Sequence, residues 1–146
     1  MAGKISTFRI GVALWVLTGL QGATAQEYAP DYRCTVERFD GADHDDRSRA
    51  EFYKGKTFSV HRRTGLIVGG IGELKNSYAA DQQPQVVDYG RVEMNSFKAV
   101  TIQPFSGSGG SNVYLLVIDE YVNRTLKPFM FSANDRVWFG HCTHAH

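Results

Sequence analysis

The sequence lacks the motifs by which many enzymes can be recognised. The glycine- and serine-rich run 106–112 contains Gly107-Ser108-Gly109, but not the G-x-S-x-G pattern of a nucleophile elbow. Only 2 cysteines are present, and both are expected in a disulfide, so no thiolate nucleophile remains. We therefore predict no catalytic residue and no cofactor.

No hydrophobic run is long enough to cross a membrane. The longest, residues 10–20, has eleven residues, whereas a spanning helix needs about twenty. Lys4 and Arg9 precede this run and Ala23-Thr24-Ala25 follows it, which is typical of a cleaved secretory signal peptide over residues 1–25. We predict that the remaining residues, 26–146, form a single exported domain, periplasmic or extracellular.

The chain also lacks an excess of charge of one sign. It has 16 basic and 15 acidic residues, and removal of Lys4 and Arg9 leaves 14 basic residues and a net charge of −1. Surfaces that bind nucleic acid normally carry a clear basic excess, because much of their affinity comes from phosphate neutralisation. We therefore predict no nucleic-acid partner, and expect an unknown protein or a small ligand instead.

The two cysteines, Cys34 and Cys142, lie near opposite ends of the mature chain. In an exported protein two cysteines predict one disulfide, and only one pairing is possible. Closing a loop of this length stabilises a fold by about 4.7 kcal/mol in the chain-entropy model. The first and last structured segments should then lie side by side.

Strand patterns occupy most of the mature chain. Tyr32, Cys34 and Val36 alternate with polar residues, which indicates a half-buried strand with Cys34 inward. Similar segments recur at 57–61, 66–68, 85–89, 97–103, 113–118, 127–132 and 136–142. Together they predict a mainly β fold: a small antiparallel β-barrel or β-sandwich of about seven strands, with a C-terminal meander.

Two of these segments allow finer expectations. Residues 113–118 are apolar on both faces, which predicts the most central strand, and Asp119 and Glu120 are expected to return the chain to solvent. In the last strand, Trp138 should share the inward face with Cys142, because alternate residues of a strand point the same way.

A polar stretch interrupts the strands and predicts one short helix near residues 46–54. Ser48 and Glu51 have the spacing of a capping box. Phe52 and Tyr53 are expected on the buried side of this helix.

Two groups of residues could bind ions. His141, His144 and His146 form a histidine-rich C-terminus that could hold Zn²⁺ or Cu²⁺, although a polar terminus that binds nothing has the same composition. Arg62 and Arg63, at the tip of a predicted hairpin, could contact an anion.

Two functions of different classes remain open. We favour a non-enzymatic binding or structural module that presents loops 73–90 and 106–112 to a protein or small ligand. An interior cavity would favour a small apolar ligand, and a filled interior a protein partner. The alternatives are metal binding by the C-terminus or a small hydrolase that uses His and Asp residues of 40–61, such as His44 and His61. A hydrolase would need a histidine and a carboxylate within hydrogen-bond reach in a cleft.

Overall fold

The computed structural model describes residues 31–42, 47–77, 82–91, 94–105, 107 and 109–145. The signal peptide predicted at 1–25 lies outside the described residues. Within them, the elements in chain order are β1 (Tyr32–Gly41), α1 (Arg47–Tyr53), β2 (Thr57–Val60), β3 (Ile67–Val68), β4 (Gln85–Arg91), β5 (Asn95–Pro104), β6 (Ser111–Ile118), β7 (Lys127–Ala133) and β8 (Arg136–His144). The prediction of a mainly β fold with one short helix is confirmed.

The eight strands form one antiparallel sheet that curls into a half-barrel, in the order β3-β2-β1-β8-β7-β6-β5-β4. Strands β5 to β8 neighbour one another in chain order, as a meander predicts. The first strand closes on the last, and Cys34 lies directly opposite Cys142. The predicted disulfide joins them across 108 positions of sequence. In the described part of the chain, no helix is long and apolar enough to span a membrane.

The inner face of the sheet holds an aromatic core. Trp138 is fully buried and shares its face with Cys142, as predicted. Its ring lies 5.1 to 5.4 Å from the rings of Phe39, Tyr53 and Phe131. Aromatic pairs at this separation contribute about 0.5–1.5 kcal/mol beyond the burial of their area. Tyr53 comes from α1, so the same cluster holds the helix against the sheet.

Two expectations about packing are wrong. Helix α1 buries Tyr53 but not Phe52, although both were expected on its buried side. Phe52 is 52 % exposed. Strand β6 is not central, because β8 and β7 occupy the middle of the sheet order. The second apolar face of β6 lies instead on the exterior of the sheet, where its side chains are half-buried or exposed.

Strands β3 and β4 are the two edges of the described sheet, and no backbone ladder pairs them. Side chains connect the two edges instead. We call this junction the seam. Asn76, in the loop after β3, links the turn before β3 to β5: its Nδ2 donates to the main-chain carbonyl of Gly65 at 2.7 Å, and its own main-chain carbonyl accepts from Thr101 Oγ1 at 2.7 Å. Arg62, from the turn between β2 and β3, makes another link, to carbonyls of β4. The curled sheet is thus closed by polar side chains.

Candidate functional site

The exterior of the sheet is mainly apolar over strands β5 to β8, although Lys98, Ser132 and His141 also lie on it. Side chains there alternate with the buried positions and are half-buried or exposed. Cross-strand pairing places them in rows, with Ile102 opposite Val113, and with Met130 between Val117 and Phe139. We call this set the apolar outer face. Its members are Val100, Ile102, Val113, Leu115, Val117, Met130, Val137 and Phe139.

The exterior of β1 has the opposite character. Its exposed positions are polar and include Arg33, Thr35 and Glu37. The two halves meet where the guanidinium carbon of Arg38 lies 4.2 Å from the centre of the Phe139 ring. Large contiguous apolar patches are rare on monomeric proteins and mark surfaces of interaction. The apolar outer face is therefore the first candidate site.

The second candidate is a buried polar cluster just beyond the end of β6. Glu120 is fully buried, so the expectation that it faces solvent is wrong. Its Oε1 accepts hydrogen bonds from Tyr32 Oη at 2.6 Å and Arg62 Nη1 at 2.7 Å, and lies 2.8 Å from His144 Nε2. Lys127 Nζ lies 3.6 Å from Oε2. We call these five residues the Glu120 cluster.

The pKa values in the cluster follow from these contacts. Burial is the largest influence on the pKa of Glu120 and acts to raise it. The hydrogen bonds from Tyr32 and His144, with the positive charges of His144 and Arg62, outweigh burial and lower that pKa. Burial, followed by the hydrogen bond to Glu120, raises the pKa of Tyr32 above its ordinary range. Near neutral pH the cluster therefore contains an ionised glutamate and a neutral tyrosine.

Two cations of the cluster, Arg62 and Lys127, also donate hydrogen bonds to main-chain carbonyls. Arg62 Nη2 donates to the carbonyls of Tyr89 at 2.8 Å and Gly90 at 2.9 Å, both in β4. Lys127 Nζ donates to the carbonyl of Val122 at 2.7 Å. Buried charges are tolerated when each is paired. Within the described part of the chain, Glu120 Oε2 makes no hydrogen bond, and its ion-pair partner is Lys127 Nζ at 3.6 Å. We therefore interpret the Glu120 cluster as a structural link across the seam.

The structure gives the two arginines predicted to contact an anion different surroundings. Arg62 is 6 % exposed and pairs with the carboxylate of Glu120 inside the molecule. Arg63, in the same turn, is exposed. Contact with an external anion at these positions stays a prediction.

The two described histidines of the C-terminus, His141 and His144, lie apart. His141 and His144 belong to opposite faces of β8, where His141 Nδ1 lies 2.9 Å from Glu37 Oε1 and His144 faces Glu120. His146 lies outside the described residues. Among the residues that are described, no three His, Cys, Asp or Glu side chains are grouped so as to hold a metal ion. Metal binding by this terminus stays a prediction.

The structure describes only some of the residues suggested for a hydrolase. His44 lies outside the described residues, and His61 is exposed in the turn after β2. His144 and Glu120 do lie within hydrogen-bond reach of each other, but Glu120 has no exposed surface on which a substrate could be placed. The hydrolase hypothesis stays a prediction.

Comparisons of the chain with protein-family models, with curated proteins and with solved structures find no match. Function is therefore inferred from the geometry of the sites alone.

Sequence reasoning misses both candidate sites. A signal for the apolar outer face is present, because residues 113–118 are apolar at successive positions. The same pattern, however, predicts a strand at the centre of the sheet. Glu120 gives no comparable local signal, since a glutamate after a strand normally faces solvent.

Proposed function

We propose that this chain is an exported, non-enzymatic binding module that docks on another protein through the apolar outer face. The observation that carries the proposal is the contrast between the two halves of one exterior, polar on β1 and apolar on β5 to β8. Removing apolar surface from water contributes about 25 cal/mol per Å². A partner that covers this face thus gains energy that the polar half cannot provide.

The filled interior favours a protein over a small apolar ligand. The inner face is occupied by closely packed aromatic side chains, each no more than 5 % exposed: Tyr32, Phe39, Tyr53, Phe58, Phe97, Tyr114, Phe129, Phe131 and Trp138. A lipid-like molecule would have to displace these rings to enter the core. Close-packed protein interiors resist the insertion of extra groups. A protein can bind the exterior without opening the core.

This proposal moves the binding surface from the loops to the sheet. Within the predicted loop 73–90, the strand expected at 85–89 is present as part of β4. The apolar outer face is instead built on regular strands, and a surface on rigid elements requires little ordering when a partner binds.

Export is part of the proposal. The Cys34–Cys142 disulfide supports it, because such bonds persist mainly in oxidising compartments. The signal-peptide pattern supports it independently. An exported protein meets its partner in the periplasm or outside the cell.

A photo-cross-linking amino acid at Val113 tests the proposal in the native compartment. Val113 is 45 % exposed on the apolar outer face. We expect irradiation to give a discrete protein adduct from this position. The same amino acid at Arg33, on the polar exterior of β1, should give none. An adduct of twice the chain mass identifies a second copy as the partner, and any other mass identifies a different protein.

A matched pair of lysine substitutions separates docking from folding. Ile102→Lys places a charge within the apolar outer face at a position that is 62 % exposed, and Thr35→Lys places one on the polar exterior of β1. With the photo-cross-linker at Val113, Ile102→Lys should abolish the adduct and Thr35→Lys should preserve it, while both variants keep the unfolding midpoint of the parent chain. The absence of any adduct from Val113, or the same adduct from Arg33, would contradict the proposal.

A further inference from the structure

A polar cleft lies at the end of the sheet opposite the Glu120 cluster. It has a volume of about 360 Å³, which is in the lower range of small-molecule sites. The end of β5 and the start of β6 form one wall, and the turn between β7 and β8 forms another. The lining residues are Glu73, Gln103, Asn112, Tyr114, Ala133, Asn134 and Arg136. Neither the apolar outer face nor the proposed docking uses this cleft.

The cleft is close to neutral overall. Its two charged side chains, Glu73 and Arg136, form an ion pair with each other through Oε1 and Nη1. A phosphate or carboxylate ligand would need an unpaired cation, and the lining residues offer none. The charges therefore favour a neutral ligand.

The remaining polar groups are mainly carboxamides, which both donate and accept hydrogen bonds. Gln103 and Asn112 are direct cross-strand partners, so their side chains stand next to each other. Their oxygens are already used: Gln103 Oε1 accepts from Tyr114 Oη at 3.1 Å, and Asn112 Oδ1 accepts from Asn134 Nδ2 at 2.6 Å. These bonds fix the orientation of both amides. The NH₂ groups of Gln103 and Asn112 make no hydrogen bond to another described residue, and they can donate to a ligand.

The chain just beyond β5 also carries an exposed aromatic ring, which is not part of the cleft lining. Phe105 follows Gln103 by two residues and is 46 % exposed. Its backbone N–H donates to the carbonyl of Gly110 at 2.8 Å, which continues the pairing of β5 with β6 past the strand ends. A Cβ atom at Gly110 would lie 2.9 Å from the Phe105 ring, so glycine leaves room for the ring at this position. Phe105 thus offers an exposed apolar ring at the same end of β5 as Gln103.

We propose that this cleft binds a neutral polyhydroxylated ligand, of the size of one or two sugar rings. Sugar hydroxyls accept and donate hydrogen bonds, which matches paired carboxamides. The C–H face of a pyranose is apolar and can pack on an aromatic ring such as Phe105. The Glu73–Arg136 pair adds a charged donor and a charged acceptor without giving the site a net charge.

The test is to titrate the mature chain with sugars and to detect binding from the NMR chemical shifts of its amides. The probes are glucose, galactose, mannose, N-acetylglucosamine, maltose and cellobiose, each to about 50 mM because single neutral ligands of this size can bind with millimolar Kd. We expect at least one to shift amides around Gln103, Asn112 and Asn134. Glucose 6-phosphate, the charged comparison, should bind no more tightly than glucose.

Substitutions then locate the site. Gln103→Ala and Asn112→Ala should each weaken the affinity by about three- to tenfold, as expected for the loss of one hydrogen bond. Gln85→Ala, on the exposed edge strand β4, is the matched control and should leave the affinity unchanged. Unfolding midpoints of all three variants show whether the fold is intact, and either cleft variant suffices if the other fails to fold. No localised shift with any neutral sugar, or equal affinity in a folded cleft variant and the parent, would overturn the proposal.

Discussion

Replacement of Arg62 by methionine should break the link between the turn before β3 and strand β4 at the seam, and so destabilise the fold. Methionine keeps much of the aliphatic stem of arginine but removes the guanidinium group. The variant loses the 2.7 Å hydrogen bond to Glu120 and both bonds to the carbonyls of Tyr89 and Gly90. Glu120 keeps Lys127 and His144 as partners, but it remains fully buried with one cation fewer.

The size of the effect follows from these contacts. A hydrogen bond to a charged group contributes about 1.5–3 kcal/mol, and a buried acceptor left without a donor costs about 1–3 kcal/mol. Removal of one partner of a buried ion pair destabilises proteins by about 3–5 kcal/mol. We expect Arg62→Met to lower the free energy of unfolding by about that amount, which is a large part of the roughly 5–15 kcal/mol typical of a domain.

Urea unfolding with the disulfide intact measures this loss. Arg63→Met is the matched control, because Arg63 is the exposed neighbour in the same turn, and its free energy of unfolding should change by no more than about 0.5 kcal/mol. Hydrogen exchange gives a local readout: amides of β4 should exchange faster in Arg62→Met than in the parent chain.

The interpretation of the Glu120 cluster as a structural link is refuted if Arg62→Met and Arg63→Met have the same stability. A loss below about 1 kcal/mol for Arg62→Met has the same meaning, because that is no more than an ordinary surface contact provides.

Two more predictions concern acid and the disulfide. The pKa of Glu120 in the fold lies below its ordinary value of 4.5, so its contribution to stability is present above about pH 4.5 and is lost as the pH falls towards the lowered pKa. The difference in urea midpoint between the parent and Glu120→Gln should therefore shrink between pH 7 and about pH 3, and a constant difference would contradict this assignment. Replacing Cys34 and Cys142 together by alanine should lower the free energy of unfolding by about 4–5 kcal/mol, because the bond closes a separation of 108 residues. Reductant should produce a similar loss in the parent chain, and a loss below about 1 kcal/mol in both experiments would show that the bond adds little.

Strand positions were predictable because their signal is local. Tyr32, Cys34 and Val36 alternate with exposed residues in the structure as they do in the pattern. The turn with Gly65, whose φ of +73° suits glycine, separates β2 from β3 where the sequence predicts a hairpin. The cysteine count, together with the export predicted from the sequence, was enough to predict the pairing of Cys34 with Cys142.

The order of strands was less predictable, because it depends on what covers each face. The sequence does not show whether an apolar residue of a strand is buried in the core or lies on the exterior of the sheet. Leu115 and Val117 are on the exterior, and Leu116 and Ile118 are in the core, but the run 113–118 does not distinguish them. The position of β6 in the sheet was therefore wrong, and the apolar outer face was missed.

Glu120 could not be predicted because its partners are remote in sequence. Tyr32 lies 88 residues away, Arg62 lies 58 and His144 lies 24. A buried carboxylate is stable only when such groups converge on it, and their convergence depends on the complete curl of the sheet. The polar cleft has the same origin, since Glu73 meets Arg136 across 63 residues.

The pairing of β1 with β8 determines when this molecule can fold. These two strands lie in the interior of the sheet order, yet they are nearly the whole described chain apart. Without β8, strands β1 to β3 and strands β4 to β7 would be two separate ladders. Contacts between remote segments form only after a large loop has been closed, and proteins dominated by such contacts fold slowly. A growing chain therefore cannot complete its sheet, and folding is delayed until strand β8 has been made.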